Sequence, residues 1–158
     1  METVFINSPL GITKIMGNDE GISVISVSNV GTSEVSQETP KVLKEAVLQL
    51  QEYFEGKRTE FDLKLNPKGT EFQQKVWKSL LKIPYGKTVS YMDQSKKLGD
   101  VKAIRAVASA NGKNPLWIVV PCHRVIGTNG SLTGYAGGLS RKKWLLEHEN
   151  PSKQQSLF

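Results

Sequence analysis

The chain has 158 residues, of which 38% are hydrophobic and 23% charged, a composition typical of an ordinary globular protein with one or two domains. The chain has a single cysteine, which excludes an internal disulfide. Because it has only two histidines in addition, we expect no metal site of the usual zinc composition. No apolar run approaches the length of about 18 residues that spans a membrane, and the N-terminus has no signal-peptide pattern. We therefore expect a cytoplasmic protein with no membrane partner.

The net charge of +6 is divided unevenly along the chain. Residues 1–66 hold 6 Lys and Arg against 10 Asp and Glu, whereas residues 67–158 hold 15 against 5. This asymmetry favours a second part that binds a polyanion such as nucleic acid, although a solvated basic surface without a partner explains the charge alone equally well. The Asn-Pro-Lys-Gly segment at 66–69 reads as a linker, so we expect one domain over 1–66 and another over 67–158.

The first part carries the pattern of a small α/β domain. Three short runs of β-branched residues lie at 4–6, 12–16 and 22–27. Turn residues at 18–21 separate the last two and predict an antiparallel hairpin or meander. Thr39 and Pro40 predict the cap and first turn of a helix that ends at Gly56 and packs on the sheet, and alternation over 61–65 predicts a half-buried strand. Nothing here suggests chemistry, so a supporting role is favoured.

Three helices are predicted at the start of the second part. The first spans residues 70–82 with a threonine as its N-cap, and Ser90 caps the second, over 91–98. Gly99 then interrupts the chain before a third helix over 101–110. Two short helices around a glycine-containing turn resemble a helix-turn-helix, a pattern that many helical hairpins share.

The third helix is rich in small residues, among them Ala103 and Ala106, and Arg105 is a long side chain that stands among them. Small side chains let a helix backbone approach a groove of DNA closely, and an arginine can reach into the base stack or to a phosphate. Close packing against the first helix is the alternative explanation for part of this set.

The apolar run 116–120 predicts a buried strand, which Pro121 ends just before Cys122. This places the sulfur at the rim of a core with His123 beside it. A thiol is a strong nucleophile as thiolate, and a neighbouring imidazole or cation can lower its pKa from about 8.5. A lone cysteine is more often an inert core residue, but these neighbours favour an exposed, deprotonated nucleophile.

The residues after Cys122 predict a glycine-rich loop over 134–138, whose backbone amides can approach a ligand, and a final helix over 140–148 that brings Glu149 near its end. The most specific features of the second part are Tyr91, Arg105, Asn114, the Pro-Cys-His-Arg-Val run at 121–125, the loop 134–138 and the Trp-Leu-Leu-Glu-His-Glu run at 144–149. Together they closely resemble the O6-alkylguanine-DNA alkyltransferases, or methylated-DNA-protein-cysteine methyltransferases. The resemblance is dense over 70–149, and over 1–66 it extends to size and element order only.

The resemblance implies a mainly α-helical C-terminal domain with a winged helix-turn-helix-like motif, and a stoichiometric, suicidal methyltransferase that needs no cofactor. Cys122 takes the alkyl group from O6 of a damaged guanine, and by expectation from O4-methylthymine, and keeps it. His123 draws the thiol proton through a water, and Glu149 orients the imidazole. Asn114 holds the turn between the third helix and the cysteine strand. Without the resemblance, a solvated helix-end carboxylate is the favoured interpretation of Glu149.

The implied partner is double-stranded DNA with alkylated bases, bound through the minor groove by a monomer. The base must be rotated out of the duplex, and Arg105 fills the gap while Ala103 and Ala106 face the DNA. Tyr91 presses on the neighbouring phosphate and faces the base.

The base pocket is implied to be lined by Val125 and Tyr135, with the amide of Ala136 near O6. Some relatives carry serine at the position of Ala136, which leaves tolerance of bulky groups open. Arg124 is expected to pair with a carboxylate that the sequence does not identify.

A cysteine hydrolase and a damage-sensing DNA-binding module remain as alternatives. Catalytic pairs of hydrolases usually come from separate segments, whereas Cys122 and His123 are adjacent. Sensing modules of this fold lack the cysteine.

Overall fold

The structure, a computed structural model, describes residues 1–28, 35–127, 135 and 137–151. The chain divides into two compact units, Met1–Lys68 and Gly69–Phe158. Within the described residues, no helix has the length and apolar character needed to cross a membrane.

The first unit is built on a three-stranded antiparallel sheet. Its strands, in sheet order, are β1 (Glu2–Ser8), β2 (Gly11–Asn18) and β3 (Gly21–Ser28). Side chains alternate along each strand, and one face is buried together with the inner side of α1 (Lys44–Phe54). Ile15, Ile25, Leu50 and Tyr53 are fully buried in this core. The predicted meander with a helix packed on it is therefore confirmed.

Two details of the first unit differ from the sequence prediction. The helix starts with a 3-10 turn, Lys41–Leu43, and Thr39 does not cap it. The predicted strand over 61–65 is reduced to a single bridge between Leu65 and Ile22. The side-chain amide of Gln49 forms hydrogen bonds with the backbone of Asp62. It donates to the Asp62 carbonyl at 3.1 Å and accepts from the Asp62 N–H at 2.8 Å. A helix side chain thus satisfies backbone groups that a strand partner would otherwise occupy.

The second unit is mainly helical. Its helices are α2 (Glu71–Leu80), α3 (Tyr91–Lys97), α4 (Ile104–Gly112) and α5 (Leu139–Glu149), and its only described ladder is the two-residue parallel pair of β4 (Val89–Ser90) and β5 (Val125–Ile126). α4 packs against both α2 and α3. The Trp77 indole N–H donates to the Ala110 carbonyl at 2.9 Å, and the side-chain amides of Gln94 and Asn111 bond to each other at 2.9 and 2.8 Å. These buried bonds fix the three helices against one another.

Two helix caps of this unit are those that the sequence predicts. The Thr70 hydroxyl accepts from the Gln73 N–H at 3.1 Å and the Gln73 side chain accepts from the Thr70 N–H at 2.9 Å, which is a capping box. The Ser90 hydroxyl accepts from the Asp93 N–H at 3.0 Å. Gly99 has φ +94°, a left-handed conformation that glycine adopts at little cost, and it reverses the chain between α3 and α4.

The predicted strand over 116–120 is wrong, because this segment forms a compact, buried turn. The Val120 N–H donates to the Leu116 carbonyl at 3.0 Å and the Val119 N–H to the Trp117 carbonyl at 2.8 Å. Ile118 sits in the middle with φ +76°, which is unusual for a β-branched residue. Local hydrogen bonds replace a strand partner here, and an apolar run cannot distinguish the two structures.

Candidate active site

Cys122 begins a 3-10 turn, Cys122–Arg124, directly after this buried turn. Its relative exposure is only 5%, so the predicted position at an exposed rim is wrong for this structure. The Asn114 side chain holds the two sides of the turn together. Its amide nitrogen lies 2.7 Å from the Val120 carbonyl and 3.3 Å from the Cys122 sulfur, and its oxygen accepts from the Leu116 N–H at 2.9 Å. Asn114 thereby fixes the backbone before Cys122 and also contacts the sulfur itself.

A buried charged cluster follows Cys122. His123 Nε2 lies 2.8 Å from Glu149 Oε2, and Arg124 bonds to both oxygens of the same carboxylate, through Nε at 2.8 Å and Nη2 at 3.0 Å. Arg124 Nη1 also donates to the Ile83 carbonyl at 2.7 Å. The carboxylate expected to pair with Arg124 is therefore that of Glu149. The contact is bidentate and fixes the plane of the carboxylate.

The electrostatics of this cluster fix the state of the imidazole. Burial by itself raises the pKa of the Glu149 carboxyl, but His123 and Arg124 outweigh it and hold that pKa far below its usual range. Burial lowers the pKa of His123, and Glu149 only partly opposes this effect. A neutral ring beside an ionised carboxylate must donate from Nε2, so Nδ1 carries the lone pair. Nδ1 is buried and has no hydrogen-bond partner among the described residues.

The Cys122 thiol is protonated at neutral pH in this structure. Burial raises its pKa from 9.0 to about 11, although the Asn114 amide and the Lys142 ammonium group lower it in part. The expected thiolate is therefore wrong for the resting protein. The thiol has to give up its proton when it reacts, and the neutral His123 is suited to receive it.

Lys142 is a buried residue of this region that the sequence interpretation missed. Its relative exposure is 0%, and burial lowers its pKa from 10.5 to about 8. Its ammonium group lies 5.8 Å from the centre of the Tyr91 ring and interacts electrostatically with Cys122 and His123. The missed signal is its spacing: Lys142 precedes Leu145, Leu146 and Glu149 at helical intervals and so lies on the buried face of α5.

The residues implied to form a base pocket are only partly described. Val125 is fully buried in β5, and Tyr91 is half-buried at the start of α3. The Tyr135 ring lies 6.0 Å from that of Trp117, centre to centre. A Cβ on Gly137 would come within 2.6 Å of the Tyr135 ring, so this buried position requires glycine. Ala136, whose amide was placed near O6, lies outside the described residues.

The residues predicted to contact DNA lie on and just before α4. Arg105 and Ala106 are exposed in its first turn, and Ala103 is half-buried in the 3-10 turn that precedes it. Val107, Ala110 and Asn111 face inward on the same helix. The outer face of α4 thus combines small residues with one long cation.

Comparison with known proteins gives a consistent result over both units. Residues 2–67 match the family described as "6-O-methylguanine DNA methyltransferase, ribonuclease-like domain", and residues 71–151 match its "DNA binding domain". The chain belongs to the 6-O-methylguanine DNA methyltransferase family. The resemblance drawn from the motifs is therefore confirmed, and the two matched stretches correspond to a ribonuclease-like domain and a DNA-binding domain of that family.

Relatives and solved structures of this methyltransferase family match over nearly the whole chain. A methylated-DNA–protein-cysteine methyltransferase of Methanosarcina acetivorans is 44% identical over 94% of this chain and 98% of its own, and one of Mycolicibacterium paratuberculosis is 46% identical over 96% and 94%. The crystal structure of the Mycobacterium tuberculosis O6-methylguanine methyltransferase has a TM-score of 0.83 at 43% identity, covering 95% of this chain and 93% of that one. A crystal structure of M. tuberculosis OGT in complex with DNA has a TM-score of 0.82 at 46% identity, covering 93% and 91%.

Proposed function

We propose that this protein repairs DNA by direct reversal, transferring the alkyl group of O6-alkylguanine to Cys122 in a single turnover. Membership of the methyltransferase family supports the reaction, and the position of the chain's only cysteine beside the His123–Glu149–Arg124 cluster supports the choice of acceptor. O4-methylthymine is proposed as a second substrate on the same chemistry.

The transfer is a displacement at the alkyl carbon. The Cys122 proton passes to His123 Nδ1 through a water, the sulfur forms a bond to the carbon, and the bond from that carbon to O6 breaks. Guanine leaves with the electron pair on its O6 and ring system and takes up one proton, so the net exchange is an alkyl group for a proton. Glu149 holds the imidazolium that forms meanwhile, in the manner of the acid of a catalytic triad. The product thioether is a poor leaving group, which makes the protein a stoichiometric reagent.

Access to the base requires that it leave the duplex. Unstacking and unpairing cost a few kcal/mol, which contacts on the DNA have to offset. We propose that α3 and α4 act as a winged helix-turn-helix-like element whose α4 enters the minor groove, with Ala103 and Ala106 against the DNA. Arg105 fills the gap in the stack, and Tyr91 contacts the neighbouring phosphate. The exposure of Arg105 and Ala106 supports this arrangement, in which the protein acts as a monomer.

The everted base is proposed to lie against Val125 and Tyr135, with the Ala136 amide as a donor to O6. The ammonium group of Lys142 interacts with the Cys122 sulfur and favours the negative charge that develops on it.

The direct test is to incubate the protein with a duplex carrying one O6-methylguanine and to locate the added mass by peptide mapping. We expect one methyl group on the peptide containing Cys122, an equimolar amount of restored guanine, and no transfer by the Cys122→Ser variant. Multiple turnovers, or repaired DNA with unmodified Cys122, contradict the proposal; a hydrolase would leave no lasting methyl group.

A further inference from the structure

The second unit has a cavity of about 500 Å³ between α2 and α3 that contains none of the residues assigned to alkyl transfer. Its apolar lining residues, which we call its floor, are Ile83, Pro84, Val89 and Leu98. Four lysines also line it, and we call them its rim: Lys75, Lys78, Lys82 and Lys97. We refer to these eight residues as the lysine-rimmed recess. Its volume lies within the range of about 300–1,000 Å³ that ligand sites usually have.

The rim is an uncompensated positive surface. Lys75 and Lys78 lie three residues apart on α2, both exposed, and Lys82 follows in the turn just after the helix ends. Like charges at this spacing disfavour a helix. Among the described residues, none of the four rim lysines forms an ion pair with a carboxylate. A negatively charged partner would supply the missing counter-charges.

The interior of the recess has little to offer a small polar molecule. The Ser79 hydroxyl already donates to the Val76 carbonyl at 2.6 Å, and the Gln94 amide is bonded at both ends to Asn111. A site for a small molecule normally has a few free polar groups that converge on its ligand. Recognition here must therefore rest on apolar contact with the floor and charge contact with the rim.

This combination suits a peptide better than nucleic acid. An apolar side chain can enter the recess as an anchor while acidic neighbours meet the lysines, as in other grooves that bind one buried anchor with a charged surround. A DNA backbone supplies phosphates for lysines but no apolar group that would cover Ile83, Val89 and Leu98.

We propose that the lysine-rimmed recess docks an acidic segment of a partner protein, with one leucine or aromatic side chain in the cavity and flanking Asp or Glu residues against the lysines. This inference goes beyond the repair reaction and does not rest on it.

The test uses fluorescein-labelled octapeptides and the full chain, with binding followed by fluorescence polarisation. One set carries a central Leu, Phe or Trp flanked by Asp and Glu. Two control sets carry the same flanks with a central Gly, or the same anchors flanked by Lys. We expect binding by the acidic, anchored set only, weakening as salt rises because exposed charges are screened.

Three variants separate the parts of the recess. Lys75→Glu/Lys78→Glu reverses the rim charge, and Ser79→Trp fills the recess without changing charge; each should weaken peptide binding by at least about tenfold. Lys41→Glu/Lys44→Glu changes the net charge equally at exposed positions of the first unit and should alter binding less than about twofold. Ser79→Leu serves as a milder filling variant if Ser79→Trp folds poorly, as judged by circular dichroism.

Repair of a duplex carrying O6-methylguanine is measured for the same proteins and should be unchanged. The proposal is overturned if no acidic, anchored peptide binds, if the glycine-centred peptides bind equally well, or if Ser79→Trp has no effect. It is also overturned if the charge reversal weakens duplex DNA binding while peptide binding stays the same, since the lysines then serve the DNA. If a variant loses repair but keeps peptide binding, the residues of the recess also serve repair. That result would leave the proposed peptide site in place.

Discussion

The two units of the molecule bury polar side chains of different kinds. In the described part of the first unit these are uncharged: Thr13, Ser23 and Gln49. In the second unit they include four that can ionise: His123, Arg124, Lys142 and Glu149. Gln49 serves the fold by satisfying the backbone of Asp62, whereas a buried charge costs free energy that folding alone does not require. Buried ionisable groups concentrate where chemistry needs them, so the difference separates a supporting unit from a reactive one.

The largest expected effect comes from removing the carboxylate that this comparison depends on. Glu149→Ala leaves Arg124 with a buried charge and no counter-charge, so the free energy of unfolding should fall by about 3–5 kcal/mol. Urea denaturation measures this loss, and single-turnover transfer should slow at the same time. The matched change in the first unit, Gln49→Ala, should cost about 1–3 kcal/mol and leave the transfer rate intact. Equal losses of rate in both variants would erase the distinction between the units.

Arg105→Ala tests the exposed face of α4, where no buried charge is involved. We expect repair in duplex DNA to slow by roughly a hundredfold, because base eversion costs a few kcal/mol. Reaction with a free O6-alkylguanine base and the free energy of unfolding should change little. Lys102→Ala removes another exposed cation from the same segment and is the control. Similar losses with the duplex and the free base would remove Arg105 from the eversion step.

Lys142→Met tests whether the buried ammonium group supports the thiolate. Without it the pKa of Cys122 should rise further, and each unit of pKa corresponds to about a tenfold drop in thiolate at neutral pH. The rate of Cys122 alkylation by iodoacetamide across pH 7–10 measures the shift. Lys143→Met, on the exposed side of the same helix, should leave the profile unchanged. An unaltered profile in Lys142→Met would make Lys142 a packing residue only.

The smallest effect expected is in the pH dependence of stability. Burial lowers the pKa of His123, so the unfolded chain takes up a proton first, and stability is lost as the pH falls below about 6.5. The depressed pKa of Glu149 acts in the same direction below about pH 4.3, where the unfolded carboxyl becomes protonated. The loss of stability between pH 6.5 and 5 should be greater in the natural protein than in His123→Gln. Parallel stability curves for the two proteins would indicate that the ring is not held neutral.

The features that sequence predicted well are those with local signals. Thr70 and Ser90 cap their helices because capping needs only a hydroxyl and an N–H three residues later. The structure of 116–120 was predicted wrongly because it depends on the Asn114 side chain and on a left-handed Ile118, neither of which has a periodic signature. The pairing of Arg124 with Glu149 spans 25 residues and emerges only when α5 is in place.

Other parts of the site needed a different kind of information. Burial decides the protonation of Cys122. It depends on how the whole unit packs, and the residues next to Cys122 in the sequence do not reveal it. Lys142 could have been found by asking which polar residues share the apolar face of α5. The minor-groove contact, the monomeric state, the cytoplasmic location and the role of Ala136 stay predictions.

The Glu149 carboxylate also connects the end of α5 to an earlier segment of the chain. It lies at the last turn of α5 and accepts from the Gly86 N–H at 3.4 Å, while the next side chain, that of Asn150, donates to the Gly86 carbonyl at 2.9 Å. One peptide cleavage after His148 would therefore remove both side-chain contacts to Gly86 and strip the imidazole of its counter-charge in the same event. A molecule clipped there would retain Cys122 and α4 but should transfer alkyl groups slowly, so its loss of activity should match that of Glu149→Ala.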